Sequence, residues 1–444
     1  MFRRFVFLFA ALGTLLCSCR GRHAGLAVAD AGEPAFLEIL ERPQGGWTIV
    51  SVSPFDGSKD SLVVDRPLRR LIVMSTSHYG FLDALGRTDL IVGASGTDYI
   101  FTDQESAETS SGGSTASLRS APPLAPLRSA PVPPLTVPRV AWVAPSRLVS
   151  AAIPAASRDS ERSDAGSLRG TPLSPPRGRR GVERRQPMSA FADIGYDGAA
   201  DYERIVELEP DVVLTYAVSG AKSPFVAKLE QLGIKVFTVN EHLERHPLAR
   251  ASYIRLFGAL TGEMAAADSI LLSVKEAYET LADSVTNSGG KIRKVLLNIP
   301  YNDQWFVPST ENYLTALIHD AGGEVLGCES GKAASSIMSV EKAYTLSEEA
   351  DGWLNTGWCN SRKDLLGVNP IFKDMLENIE RNANERGFGG MQVVWNDNNR
   401  VNAKGGNDIW QSGVARPDLV LRDLVGILHP SGAKEEVIYY KPIE

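Results

Sequence analysis

Ala200-Asp-Tyr-Glu-Arg-Ile-Val-Glu-Leu-Glu-Pro-Asp-Val-Val-Leu decides how this chain folds. Apolar residues at helical spacing run from Tyr202 to Leu208, Pro210 ends the turn, and the strand Val212–Tyr216, opening on the apolar run Val212-Val-Leu, follows. A short helix feeding a strand apolar on both faces predicts a parallel sheet covered by helices. The same alternation extends outward in both directions. Upstream lie strand Leu71-Ile-Val-Met, a helix over 79–85 and strand Leu90-Ile-Val-Gly; downstream lie a helix over 223–232 and a strand over 235–239. It resumes with strand 294–298, helices 313–321 and 340–349, strand 353–355, helix 371–379, strand 391–395 and a closing helix 416–428. The predicted fold class is α/β, with two Rossmann-like lobes.

Between the lobes, apolar residues from Ile254 to Leu281 recur at helical spacing with no proline after Pro247. The expectation is an interlobe helix segment at 246–287, its helix some 35 residues and roughly 50 Å long, although Gly262 stands within it. Before the first lobe, apolar and polar residues alternate from Phe36 to Val64 around Gly45-Gly46, which predicts a hairpin.

Composition sharpens the boundaries. The 444 residues carry a net charge of -7, which argues against a general nucleic-acid binder, and four cysteines exclude a disulfide-dense scaffold. Residues 105–190 depart from the rest, with 13 of the 26 prolines, 12 arginines against six acidic residues, and no lysine. Prolines at that density block helix and central strand, so a disordered insertion in the first lobe is expected. A surface-loop insertion, a basic tether and a gene-model artefact all fit its composition. Met1-Phe-Arg-Arg and the apolar run Phe5–Leu16 read as a secretory signal ending in Leu16-Cys-Ser-Cys. That end resembles a bacterial lipobox with Cys19 as the lipidated residue. The expected divisions are a signal at 1–18, the hairpin and first part of lobe 1 at 19–104, the insertion at 105–190, the rest of lobe 1 at 191–245, the interlobe helix at 246–287 and lobe 2 at 288–444.

Ligands of an open parallel sheet bind beyond the carboxyl ends of its strands. Those ends supply His78, Tyr79, Tyr99, Tyr216, Trp305, Trp358, Asn396 and Arg400, with Asn407 and Trp410 at the rim. Aromatic walls with amide and basic orienting groups predict a cleft for a flat or bulky ligand.

The stretch 200–214 resembles the E-x-I-x-x-L-x-P-D motif of substrate-binding lipoproteins of ABC importers, in the branch with a rigid interlobe helix. The run Gly387-Phe-Gly-Gly-Met-Gln-Val-Val-Trp-Asn-Asp-Asn-Asn-Arg, with Gly405-Gly-Asn-Asp-Ile-Trp and Arg416-Pro-Asp-Leu-Val, resembles a version common in Bacteroidota. The resemblance implies an iron-siderophore, haem or cobalamin-type cargo and delivery to an ABC permease and its ATPase. It also implies a monomer lipid-anchored to a membrane and facing the periplasm, with no cofactor of its own and no nucleic acid. Docking on the permease through one glutamate per lobe falls to Glu203 and Glu341. In an oxidising compartment, Cys328 and Cys359 of the second lobe are expected to pair.

Other functions find less support. A zinc or manganese receptor needs about three histidines with a carboxylate. His78 has no such partners near Trp305 or Trp358, and His242 and His246 read as a solvated face, so no metal site is expected. No Gly-x-Ser-x-Gly, P-loop or His-Glu-x-x-His occurs, and the chain is not expected to be an enzyme. A surface lipoprotein that captures its ligand without a permease is the remaining alternative.

Overall fold

Buried apolar runs on either side of residue 262 form the centres of two parallel sheets in the computed structural model, which describes residues 32–102, 191–301, 304–330, 335–430 and 437–444. Ahead of them, β1 (Leu37–Glu41), β2 (Trp47–Val52) and β3 (Lys59–Val64) make an antiparallel meander. The expected hairpin is its first turn, where Gly45 and Gly46 hold φ of 87° and 81°.

The first lobe contains β4 (Leu71–Val73), β5 (Ile91–Ala94), β6 (Ala192–Asp193), β7 (Val212–Thr215) and β8 (Val236–Thr238) in the order β6-β5-β4-β7-β8, all parallel. Leu71, Ile72, Val212, Val213 and Leu214 are fully buried, as strands covered by helices on both faces must be. The second lobe contains β9 (Arg293–Leu297), β11 (Gly323–Val325), β13 (Gly352–Leu354), β14 (Val394–Asn396) and β15 (Lys441–Pro442) in the order β11-β9-β13-β14-β15, with β15 alone antiparallel. A separate antiparallel pair, β10 (Trp305–Val307) and β12 (Ser336–Met338), was not foreseen from the sequence.

The expected single helix over 246–287 is three helices: Pro247–Ala251, Ile254–Thr261 and the 25-residue Met264–Ser288. Gly262 adopts φ 80° and caps the middle helix, so the chain turns back there instead of continuing. A Cβ on Gly258 would lie 2.7 Å from that of Ala267, and this absence of a side chain lets the last two helices pack closely. The long helix, about 37 Å by its residue count, still joins the lobes. Its buried residues Ala267, Val274, Tyr278 and Val285 lie on one stripe. Ala267 enters the first lobe's core and the other three enter the second's.

A second tie is a shared core. Val414 and Ala415, from the second lobe, are buried in the first lobe's main cluster. Their short helix, Ser412–Ala415, packs on the helix Thr76–Ala84.

The signal segment, Cys19 and the 105–190 insertion lie outside the described residues. No helix among those described is long and apolar enough to cross a membrane. The expected Cys328–Cys359 disulfide is not formed; both cysteines are free. Cys359 is sealed in the second lobe's core, where burial pushes its thiol up to about 11. Cys328 packs at the edge of the same cluster, its thiol raised by burial and hydrogen-bonded to Thr315.

Candidate functional site

Three neighbouring strands of the second lobe end in asparagine: Asn298 follows β9, Asn355 follows β13 and Asn396 closes β14. Asn298 and Asn355 take left-handed backbone angles, φ 65° and 59°, which asparagine tolerates better than other side-chain-bearing residues. The chain therefore turns sharply at each strand end and opens a hollow above the sheet. Opposite stand Thr76, just past β4, and Tyr99, in the loop after β5. The two rims enclose a cleft of about 560 Å³.

Tyr99, Tyr313 and Trp410 supply its aromatic surface, and Asn298, Asn312, Asn355 and Asn407 supply amides. Among the described residues, Asp397 is the only charged side chain in the lining. A small apolar recess of about 40 Å³ shares Tyr313, Leu314, Asn355, Asp397 and Trp410 with the cleft. Burial lifts the Asp397 carboxyl to about 6, opposed only by a hydrogen bond from its own backbone N–H.

The ten ligand-binding residues expected from the sequence divide into three groups. Tyr99, Asn407 and Trp410 line the cleft. Asn407 also holds the loop in place, donating to the Asp397 carbonyl at 3.0 Å and capping Ile409 N. Tyr216 and Trp358 are exposed but stand outside the lining, Tyr216 edge-on to His242 and Trp358 next to the cleft residue Gly357.

The remaining five are engaged elsewhere, which corrects the expectation for each. Trp305 is fully buried, stacked 5.7 Å from Trp353 and edge-on to Phe372, and its indole donates to the Leu297 carbonyl. Tyr79 lies in the first lobe's core beside Phe191. Asn396 is fully buried and donates to the carbonyls of Gly357 and Cys359, fixing the loop beneath the cleft. Arg400 pairs with Asp408 at 2.6 Å and lies over the Phe101 ring. His78 is fully buried, 5.9 Å from the Phe257 ring, and burial lowers its pKa to about 4 against the pull of Glu241. A neutral, sealed imidazole cannot orient an anionic ligand.

Behind His78 lies a buried polar network. Ser77 Oγ donates to Glu241 at 2.6 Å, Arg250 approaches the same carboxylate at 3.6 Å, and the Arg250 guanidinium sits 4.7 Å above the Tyr313 ring. Burial alone would raise the Glu241 carboxyl, but the His242 hydrogen bond and the Arg250 charge hold it far below the usual carboxylate range. The network supports the cleft wall through Tyr313 and leaves Arg250 committed.

Sequence reasoning missed Asn298, Asn312, Asn355, Tyr313 and Asp397 as lining residues. The repeated ending Leu297-Asn298, Leu354-Asn355 and Trp395-Asn396 was the available signal. Among the described residues, no group of three or more histidine, cysteine or acidic side chains could hold a metal ion.

Glu203 and Glu341 occupy equivalent places. Each is exposed at the second position of a capped helix, Glu203 behind Asp201 in the first lobe and Glu341 behind Ser339 in the second.

Residues 172–377 match the family model described as periplasmic binding protein, from a start inside the 105–190 stretch. An uncharacterized lipoprotein of Methanocaldococcus jannaschii is 26% identical over 252 residues, 54% of this chain and 53% of that protein. The chain thus spans about half the length of this curated relative. Among solved structures, a periplasmic heme-binding protein from Pseudomonas aeruginosa aligns with a TM-score of 0.50 and 14% identity, over 85% of this chain and 98% of that one. A periplasmic binding protein from Veillonella parvula aligns with a TM-score of 0.49 and 13% identity, over 87% and 99% of the respective chains.

Proposed function

We propose that this chain, which matches the periplasmic binding protein family over residues 172–377, is the substrate-binding component of an ABC importer. It captures a compact metal complex, of the iron-siderophore, haem or cobalamin type, between its lobes and delivers it to a permease. The carrying observation is the cleft of about 560 Å³ where the carboxyl ends of the two lobes' sheets meet, walled by aromatics from both lobes and amides from the second. The long helix and the shared core favour a preformed site that closes only slightly. A tether through Cys19 is supported by the lipobox-like sequence and by the lipoprotein relative.

Tryptophan-fluorescence titration with haemin, cyanocobalamin and a ferric siderophore tests the reading. One of these classes is expected to quench the protein. Trp410→Ala should weaken that ligand about tenfold, as for an aromatic anchor in an interface, while Trp358→Ala leaves it unchanged. Failure of all three to bind the wild type, or equal affinity in the Trp410 variant, sinks the reading.

Delivery has its own test. Exposed carboxylates at matching helix starts, one in each lobe, can each receive a permease arginine bidentately. Glu203→Arg with Glu341→Arg should reduce uptake of the bound cargo at least roughly tenfold by placing like charges against each other. Cargo affinity should not change, since neither residue lines the cleft. Normal uptake by the double variant would remove both residues from docking.

A further inference from the structure

Among the described residues no basic side chain lines the cleft, and those near it are already engaged. Arg400 pairs with Asp408, Arg250 faces Glu241 and the Tyr313 ring, and Lys404 lies 3.8 Å from Asp98 on the exposed loop. Asp397 is the exception. It is only 8% exposed, borders both the cleft and the recess, and accepts from no donor but its own backbone N–H among the described residues. An isolated carboxylate is costly to bury, and a cation arriving in the cleft removes that cost.

We propose that Asp397 anchors a cationic nitrogen of the cargo, an ammonium, amidinium or guanidinium, so that the receptor selects cationic over anionic complexes. This deepens the proposed function and rests on its placement of cargo in the interlobe cleft. The asparagine amides offer donors and acceptors to the neutral remainder of the ligand, and Tyr99 and Trp410 cover its apolar faces. Haem propionates or catecholate oxyanions would meet a buried carboxylate, while Arg250, the basic side chain that lines the recess, already faces Glu241 and the Tyr313 ring.

The tyrosines around Asp397 do not titrate with it near neutrality. Tyr313 and Tyr440, which border the same recess, are pushed upward by burial and stay protonated. Of the charged groups nearby, Asp408 on the following loop pairs with Arg400, and Arg250, which lines the recess, faces Glu241. Cation affinity should therefore be flat above about pH 7 and fall as pH drops through about 6, where the Asp397 carboxyl takes up its proton.

The test uses three probes in calorimetric titration: the ferric complex of a linear trihydroxamate with one free ammonium, its N-acetylated counterpart, and an anionic ferric tris-catecholate. The wild type should prefer the ammonium complex over the acetylated one by roughly 30-fold, as for a desolvated charge pair, and should not bind the catecholate. Asp397→Asn, checked for folding by its melting temperature, should erase that preference and its fall below pH 6. Equal affinity for the two trihydroxamates, or a preference that survives in Asp397→Asn, overturns the proposal while leaving chelate capture intact. If neither trihydroxamate binds the wild type, native mass spectrometry of cargo retained on both proteins decides the charge proposal. A cargo bearing a cationic nitrogen, present on the wild type and lost from Asp397→Asn, supports it. A cargo without one, a cargo retained equally by both, or no cargo on either overturns it.

Discussion

Trp305→Ala will destabilise the second lobe by about 4 kcal/mol, the range for deleting a fully buried aromatic side chain, and leave the cargo affinity of the folded protein unchanged. The indole is fully buried between Trp353 and Phe372, with both ring contacts at 5.7 Å. Truncation opens a cavity whose rigid aromatic walls cannot collapse into it. It also strips the Leu297 carbonyl of the 2.7 Å hydrogen bond from Nε1, a further penalty for a buried acceptor of about 1 kcal/mol. Urea unfolding followed by circular dichroism reads the loss, and titration of the still-folded variant reads the affinity. Trp358→Ala is the control: with that side chain 64% exposed, its substitution should stay within about 0.5 kcal/mol of wild type. An unchanged unfolding midpoint with weakened binding in Trp305→Ala would put the indole in the cleft after all.

The same residue shows where a sequence stops informing. The alternation of helices and strands was legible because a parallel strand covered on both faces must be apolar throughout, as Leu71-Ile-Val and Val212-Val-Leu are. Whether an aromatic beyond a strand faces cargo or core depends on a single step of the strand's period of two. Trp305 and Val307 of β10 point inward and Phe306 between them outward, and β10 itself, three residues long, has no pattern of its own. His78, Asn396 and Arg400 were misplaced for a related reason. A polar residue at a strand end serves equally to bind a ligand or to satisfy a neighbour, and the partners Phe257, Gly357, Cys359 and Asp408 come from remote parts of the chain. Tyr99, Asn407 and Trp410 were legible because they stand on loops that both lobes extend toward the gap. The long helix was found but overextended, because the apolar period runs unbroken through Gly262 while the backbone does not. Asp397 was passed over inside its polar loop, since only three-dimensional burial sets it apart from Asp408 and the asparagines around it.

Gly80→Val will separate the lobes where they share a core, costing about 3 kcal/mol as an overpacking substitution with little room to relax and weakening cargo binding at the same time. Gly80 lies inside the helix Thr76–Ala84, and a Cβ there would come within 2.6 Å of the Gln411 carbonyl carbon. The obstacle is backbone, so no rotamer relieves it, and the second lobe's segment must move. That segment is held by a reciprocal pair of 3.0 Å hydrogen bonds, Phe101 N to Gln411 Oε1 and Gln411 Nε2 to Phe101 O, and by Val414 and Ala415 buried in the first lobe. Displacing it carries Asn407 and Trp410 away from Tyr99, so the two halves of the cleft lose their register. A lowered melting temperature, a larger radius of gyration by solution scattering and weaker fluorescence quenching should appear together. Gly367→Ala separates this effect from loss of a glycine as such. It lies in the helix Arg362–Val368 with nothing within 4 Å of the new methyl, so it should be neutral or stabilising by up to about 1 kcal/mol. A Gly80 variant that melts and binds like wild type would mean that the contact between Thr76–Ala84 and Ser412–Ala415 does not hold the lobes together.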